Sequence, residues 1–215
     1  MKALIIQHTE ASPAGTTIDW LVEKKIPYHI HFFSSDQPTS AQDFDLIFIC
    51  GGGMNVDQED LFPWLREEKK FLHEAIKQEK KIVGLCLGAQ LLAEVLGGSV
   101  FKASHWEAGW QNIDFESGET LRVFEWHGYQ FHSPPGAVKI AGNTACPHQA
   151  FAFGKNIIAF QFHPESTREW VIERATDPEI PPQGVYVQKN ADILNELENL
   201  AHLQVWYFEQ LDCFL

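Results

Sequence analysis

The 215-residue sequence has no Cys-x-x-Cys pair, no long apolar run and a shortage of basic residues. Without a run of about 20 apolar residues, no transmembrane helix is expected. The first residues, "MKALIIQHTEASPAG", carry one lysine and a short apolar stretch. They read as a first strand rather than a signal peptide. The four cysteines, Cys50, Cys86, Cys146 and Cys213, are widely scattered. That spacing argues against a zinc site and against a disulfide framework, so a reducing, cytoplasmic compartment is expected. Lys and Arg number 16 against 29 Asp and Glu, for a formal net charge of -13. Such a surface repels phosphate backbones and anionic lipid, which argues against nucleic-acid and membrane partners. There is no P-loop, no internal repeat and no low-complexity segment.

What is present is apolar material enough for a sizeable core, at 45% of residues. The length suits one α/β domain. "ALIIQ" (3–7), "YHIHFF" (28–33), "DLIFIC" (45–50) and "KIVGL" (81–85) read as buried strands. Helical patterns lie between them at 15–25 and 61–78, the second with Leu61, Leu65, Leu72 and Ile76 on one face. Strand-helix alternation implies a mostly parallel sheet with helices on both faces. The middle, with "SVFK", "WQNIDF", "LRVFEW", "AVKIAG" and "AFAFG", reads as a small antiparallel insertion of short strands. "NIIAFQF" (156–162) returns as a buried strand and stops at Pro164. Beyond it, "DPEIPPQG" (177–184) is linker-like, and a last helix begins near Asn190 with Ile193, Leu197 and Leu200 on one face. The expected division is a domain at 1–176 and a helical extension at 177–215 packed on it.

"GLCLGAQ" (84–90) places a cysteine between an apolar strand and a helical run. A nucleophile at such a sharp turn projects above the sheet, and the crowded backbone wants small residues on each side. Gly84 and Gly88 supply them, in a Gly-x-Cys-x-Gly arrangement. The helix N-terminus favours negative charge on the sulfur, and the Leu87 N–H points to where an oxyanion would form beside it. Cys86 also reads as a small buried hydrophobe.

A thiolate nucleophile needs a base. Of ten histidines, His163 stands out. It leaves a buried strand at the carboxyl end, where ligands of parallel sheets gather. Glu165 follows across Pro164, placed to hold the imidazole in one tautomer. A surface His-Pro-Glu turn is the plain alternative.

"GLCLGAQ" together with "QFHPE" resembles the class I glutamine amidotransferases. "GGGMNVDQEDLFPWLREEKKFL", "KIVGLCLGAQLLAEVLGG", "EAGW", "WHGYQF" and "YVQ" are similar to the stand-alone, GMP-synthase-like subgroup. The resemblance implies a three-layer flavodoxin-like fold and a catalytic Cys86, His163 and Glu165. It implies an oxyanion hole formed by the N–H groups of Gly52 and Leu87. It implies substrate contacts from Gln90 and the backbone of Trp126, His127, Gly128 and Tyr129, with Gly53 beside them. The family usually has proline where Gly53 stands, and many members have aspartate where Tyr129 stands. His127 is the weaker candidate base, since no carboxylate follows it. His105, Trp106, Glu107 and Trp110 rim the pocket or, for the tryptophans, fill the core.

The implied chemistry is attack of Cys86 on the side-chain amide of glutamine, a γ-glutamyl thioester, and hydrolysis to glutamate. No metal or organic cofactor is called for. Two alternatives stand beside it. One is a γ-glutamyl peptidase acting on glutathione-like compounds. The other is a non-catalytic glutamine-binding or regulatory module. With no synthetase domain in the sequence, the first reading has either ammonia channelled to an ammonia-accepting synthetase subunit or the protein acting alone.

Overall fold

Four apolar runs near the start of the chain line up as neighbours in one sheet, but the run at 28–33, read as a buried strand, lies at the sheet edge with Tyr28 and His29 exposed. The computed structural model describes residues 1–37, 39–177 and 183–215. In chain order the elements are β1 (Ala3–Ile6), α1 (Thr16–Glu23), β2 (Tyr28–His31), β3 (Leu46–Ile49), α2 (Trp64–Lys77), β4 (Lys81–Leu85) and α3 (Leu87–Val95). Then follow β5 (Ser99–Phe115), β6 (Thr120–His132), β7 (Val138–Gly142), β8 (Ala150–Phe153), β9 (Ile157–Phe160), α4 (Arg168–Thr176), α5 (Asn190–Asn195) and α6 (Asn199–Phe214).

Among the described residues, nine strands form one sheet in the order β2-β1-β3-β4-β9-β8-β7-β5-β6. The pairings from β2 across to β9 are parallel. Those from β9 across to β6 are antiparallel. The antiparallel strands therefore continue the main sheet instead of standing apart from it.

Strands β1 and β3 are buried along their whole length. Their side chains alternate between two cores, as a sheet covered on both faces requires. Ala3, Ile5 and Phe48 pack with Trp20 of α1, Val171 of α4 and Trp206 and Tyr207 of α6. Leu4, Ile6, Ile47 and Ile49 pack on the other side with Leu65 and Leu72 of α2 and Leu92 of α3. This is the three-layer arrangement expected from the alternation.

Three local expectations are corrected. "SVFK" and "WQNIDF" are parts of a single strand, β5, whose pairing with β6 shifts register between Lys102 and Glu107. Helix α2 begins at Trp64, capped by Pro63, so Leu61 lies outside it and is 70% exposed. Proline suits a helix start and not the turns after it. The C-terminal helix is two helices, and Asn190 is the first residue of α5, capped by Lys189. The linker-like "DPEIPPQG" falls mostly on residues outside those described. Helix α6 joins the first core directly, and its Tyr207 hydroxyl lies 3.0 Å from Thr17 Oγ1.

Candidate active site

The carboxyl ends of the parallel strands carry the residues singled out from sequence. Cys86 follows β4, residues 51–53 follow β3, and His163 follows β9. Cys86 is the N-cap of α3 with φ 51° and ψ -106°, a left-handed conformation that costs a non-glycine residue energy and marks a forced turn. Its N–H donates to the Phe160 carbonyl of β9 at 2.8 Å, and its carbonyl accepts from Gln90 N–H at 3.1 Å. The flanking glycines are needed sterically. A Cβ on Gly84 would lie 2.7 Å from the Gly88 carbonyl oxygen, and one on Gly88 would lie 2.2 Å from that of Ile49.

His163 is buried, with its N–H on the Phe124 carbonyl at 2.9 Å and its Nδ1 2.8 Å from Glu165 Oε1. A carboxylate accepts only, so Nδ1 carries a proton and Nε2 is left for another partner. Burial disfavours the imidazolium, but the Glu165 carboxylate and the Cys86 sulfur outweigh it and raise the pKa well above the ordinary histidine value. Trp170 packs on the ring at 4.7 Å between centroids. The Glu165 carbonyl accepts from Thr16 N–H at 2.9 Å, which ties the His-Pro-Glu turn to the start of α1.

A cavity of about 380 Å³ opens over Cys86 and His163. Gly52, Gly53, Leu87, Gln90, Trp126, His127, Gly128 and Tyr129 all line it. The catalytic, oxyanion and substrate-contact residues implied by the resemblance, Glu165 excepted, thus reach the same cavity, and Glu165 stands behind His163. Among the described residues, neither the Gly52 nor the Leu87 N–H donates a hydrogen bond. Gln90 is buried, and its Nε2 donates to the Tyr129 carbonyl at 3.2 Å and to Gln161 Oε1 at 3.1 Å.

The chain matches the family model "Glutamine amidotransferase class-I" over residues 15–170. It belongs to that family. Among curated relatives, the putative glutamine amidotransferase-like protein YfeJ of Salmonella typhimurium is 23% identical, with 99% of this chain and 93% of that protein covered. Gamma-glutamyl peptidase 2 of Arabidopsis thaliana is 26% identical over 59% of this chain and 56% of that protein. A subunit of the GMP synthase [glutamine-hydrolyzing] of Sulfurisphaera tokodaii is 31% identical over 58% of this chain and 69% of that protein. A crystal structure of a glutamine amidotransferase from Methylobacillus flagellatus superposes with a TM-score of 0.88 at 28% identity, covering 96% of this chain and 91% of that one.

Sequence reasoning about this amidotransferase-family site missed several residues. Gln161 Nε2 donates toward Cys86 Sγ at 3.8 Å, and its Oε1 receives the Gln90 amide. It lies just past the end of β9, two residues before His163. Ser12, Asn55, Lys102, Trp170 and Arg174 also line the cavity, brought there by topology rather than by any local pattern.

The residues around "EAGW" divide. Trp106 lines the cavity, whereas Trp110 is buried in the core with its Nε1 on the Ile193 carbonyl at 3.2 Å. His105 does not line the cavity, and its Nε2 lies 3.0 Å from the Ala145 carbonyl oxygen. Glu107 is buried and faces His127. His127 does have carboxylates beside it: Glu125 at 3.1 Å and Glu107, its cross-strand partner, at 3.3 Å. Sequence order hid both, since one precedes it and the other comes from β5. Burial opposes the His127 imidazolium, but the two carboxylates lift its pKa to about 10. Burial, with Glu107 adding to it, lifts Glu125 to about 7. Glu107, His127 and Cys146 bring donor atoms within 4.8 Å, the kind of set that can ligate a metal. The Glu107 carboxylate, however, already accepts from Asn143 Nδ2 at 2.9 Å and Gln149 Nε2 at 3.2 Å. We read the cluster as an ion-paired network that stiffens the β5–β6 ribbon under residues 126–129.

Proposed function

We propose that the protein hydrolyses the γ-glutamyl amide bond of glutamine or of a related γ-glutamyl compound. The observation that carries this reading is the Cys86 turn facing a buried His163 that is itself bonded to Glu165 at 2.8 Å. The Cys86 sulfur adds to the amide carbon, and the carbonyl oxygen becomes an oxyanion held by the N–H groups of Gly52 and Leu87. The C–N bond breaks as His163 Nε2 passes its proton to the departing nitrogen. A γ-glutamyl thioester remains. Water then loses a proton to His163 and attacks the same carbon, and the C–S bond breaks to give glutamate and restore Cys86. Gln90 and residues 126–129 hold the α-amino and α-carboxyl groups. The likeness to a GMP synthase subunit suggests an ammonia-accepting partner for this role.

A second reading, γ-glutamyl peptide cleavage, is favoured by the charge on the cavity wall. Lys102 brings positive charge to the cavity lining, suited to a peptide carboxylate, whereas Arg174 there is paired with Glu173 at 2.9 Å and Asp177 at 3.4 Å. Both readings use the same acyl chemistry and the same residues, and the likeness to a gamma-glutamyl peptidase is in keeping with the second.

The test is release of glutamate by the purified protein from glutamine and from a γ-glutamyl dipeptide, with ammonia measured separately. Turnover should fall by several orders of magnitude in Cys86→Ala. Undiminished turnover in a folded Cys86→Ala protein would sink both readings.

A further inference from the structure

Strands β1 and β3 run in parallel with Ile6 opposite Ile49, so the chain beyond them brings His8 alongside Gly51. His8 is buried, with Nδ1 2.9 Å from the Gly51 carbonyl oxygen. Its Nε2 lies 3.0 and 3.1 Å from the two Glu68 oxygens. Glu68 is fully buried on α2, on the face that also buries Leu65, Leu72 and Ala75. Trp64 stacks on the imidazole at 5.8 Å between centroids.

A carbonyl and a carboxylate are both acceptors, and a neutral imidazole has only one N–H. Satisfying both therefore requires the imidazolium. Burial works against that form, but Glu68 and the carbonyls of Gly51 and Cys50 prevail and raise the His8 pKa. As a source of stability such a buried pair is poor, because well-packed apolar residues in its place usually do as well or better. Its use has to be sought in what it grips.

The Gly51 carbonyl and the Gly52 N–H belong to one peptide unit, and in a trans peptide they point in opposite directions. Drawing the carbonyl toward His8 turns the N–H the other way. Gly52 lies between His8 and Leu87: a Cβ there would come 3.1 Å from the His8 Cβ and 2.8 Å from the Leu87 side chain. Gly53, which follows, has nothing within 4 Å of where its Cβ would be and so takes no restraint from packing. We propose that His8, held by Glu68, is a positioning residue that fixes the Gly51–Gly52 peptide with its N–H aimed at the oxyanion. This rests on the hydrolytic reading above, in which Gly52 and Leu87 stabilise that charge.

The experiment compares wild type, Cys86→Ala, Glu68→Gln and the double variant His8→Phe/Glu68→Leu, each checked for folding by circular dichroism. The double variant replaces the ion pair with apolar groups, so it folds while the grip is lost. Its kcat for a γ-glutamyl substrate should fall by about 10²-fold with KM little changed, the usual scale for loss of one oxyanion donor. Glu68→Gln should keep kcat within roughly threefold, since a Gln amide can donate to Nε2 and leave the Nδ1–H on Gly51. Alkylation of Cys86 by iodoacetamide forms no oxyanion, so its rate should match wild type in both. A double variant with kcat within about twofold of wild type overturns the proposal while the hydrolytic reading stands. So does a Glu68→Gln protein as slow as the double variant, or alkylation slowed as much as hydrolysis. Wild-type protein that releases no glutamate, or turnover that survives in Cys86→Ala, fails the hydrolytic reading and takes this proposal with it.

Discussion

Cys86 shows how much one residue's surroundings constrain its neighbours. Its left-handed backbone lets β4 turn directly into α3, and the turn closes so tightly that Gly88 rests against the Ile49 carbonyl. A Cβ at Gly88 would lie 2.2 Å from that oxygen, a backbone atom that cannot swing away. At Gly53 the same addition meets nothing within 4 Å. Gly88→Ala should therefore cost at least about 1–3 kcal/mol of stability, the usual scale of overpacking, and reduce activity with it. Gly53→Ala should stay within about 0.5 kcal/mol of wild type. Urea unfolding of both variants checks the pair, and equal stabilities would contradict the tight turn. The glycine pair and the His-Pro-Glu turn were legible in sequence because each lies within a few residues of a strand end, and Gln90 was legible through the resemblance. His8, Glu68 and Gln161 were not. Glu68 interrupts the apolar face of α2, a mismatch visible in the sequence, but nothing there tells which buried group it serves.

At the scale of elements, β5 and β6 form a long antiparallel pair of 17 and 13 residues. Period-two alternation identified their pieces, yet the register shift between Lys102 and Glu107 broke the pattern and made one strand read as two. The pairing of Glu107 with His127 depends on that register and could not be seen without it. At the C-terminal helices, no glycine or proline marks the break between α5 and α6. Instead Arg122 of β6 holds Glu196 in that turn with two bonds of 2.8 and 2.9 Å, a tertiary contact overriding helical propensity. The buried carboxylates under residues 126–129 give this region a pH signature. Glu125 titrates at about 7 in the folded protein against an ordinary 4.5, so the folded state keeps a proton that the unfolded state releases. The stability this contributes is whole below pH 4.5 and is lost as the pH rises through 7. Glu125→Gln cannot lose its protons, so its stability relative to wild type should rise by about 1–3 kcal/mol between about pH 5 and pH 8. Parallel stability curves for the two proteins across that range would contradict the raised carboxyl.

For the whole molecule, the sheet divides its work. The parallel strands end on one edge and bring Cys86, residues 51–53 and His163 together, while β5 and β6 carry Trp106 and residues 126–129 to the same cavity from the antiparallel side. The alternation of strands and helices made the three layers legible, because it fixes which faces must be buried. It did not fix the long-range order of the antiparallel strands, which depends on pairing between distant segments. Among the described residues, no helix is long and apolar enough to cross a membrane. The central claim is that Cys86 carries the γ-glutamyl group during turnover. The most direct measurement is acid quenching of the protein during steady release of glutamate, followed by mass mapping of its cysteine peptides. The account predicts the mass of one γ-glutamyl group on the peptide containing Cys86, sensitive to hydroxylamine as a thioester is, and none on those containing Cys50, Cys146 or Cys213. Glutamate release that continues with no such adduct on the Cys86 peptide, and equally in Cys86→Ala, would contradict it.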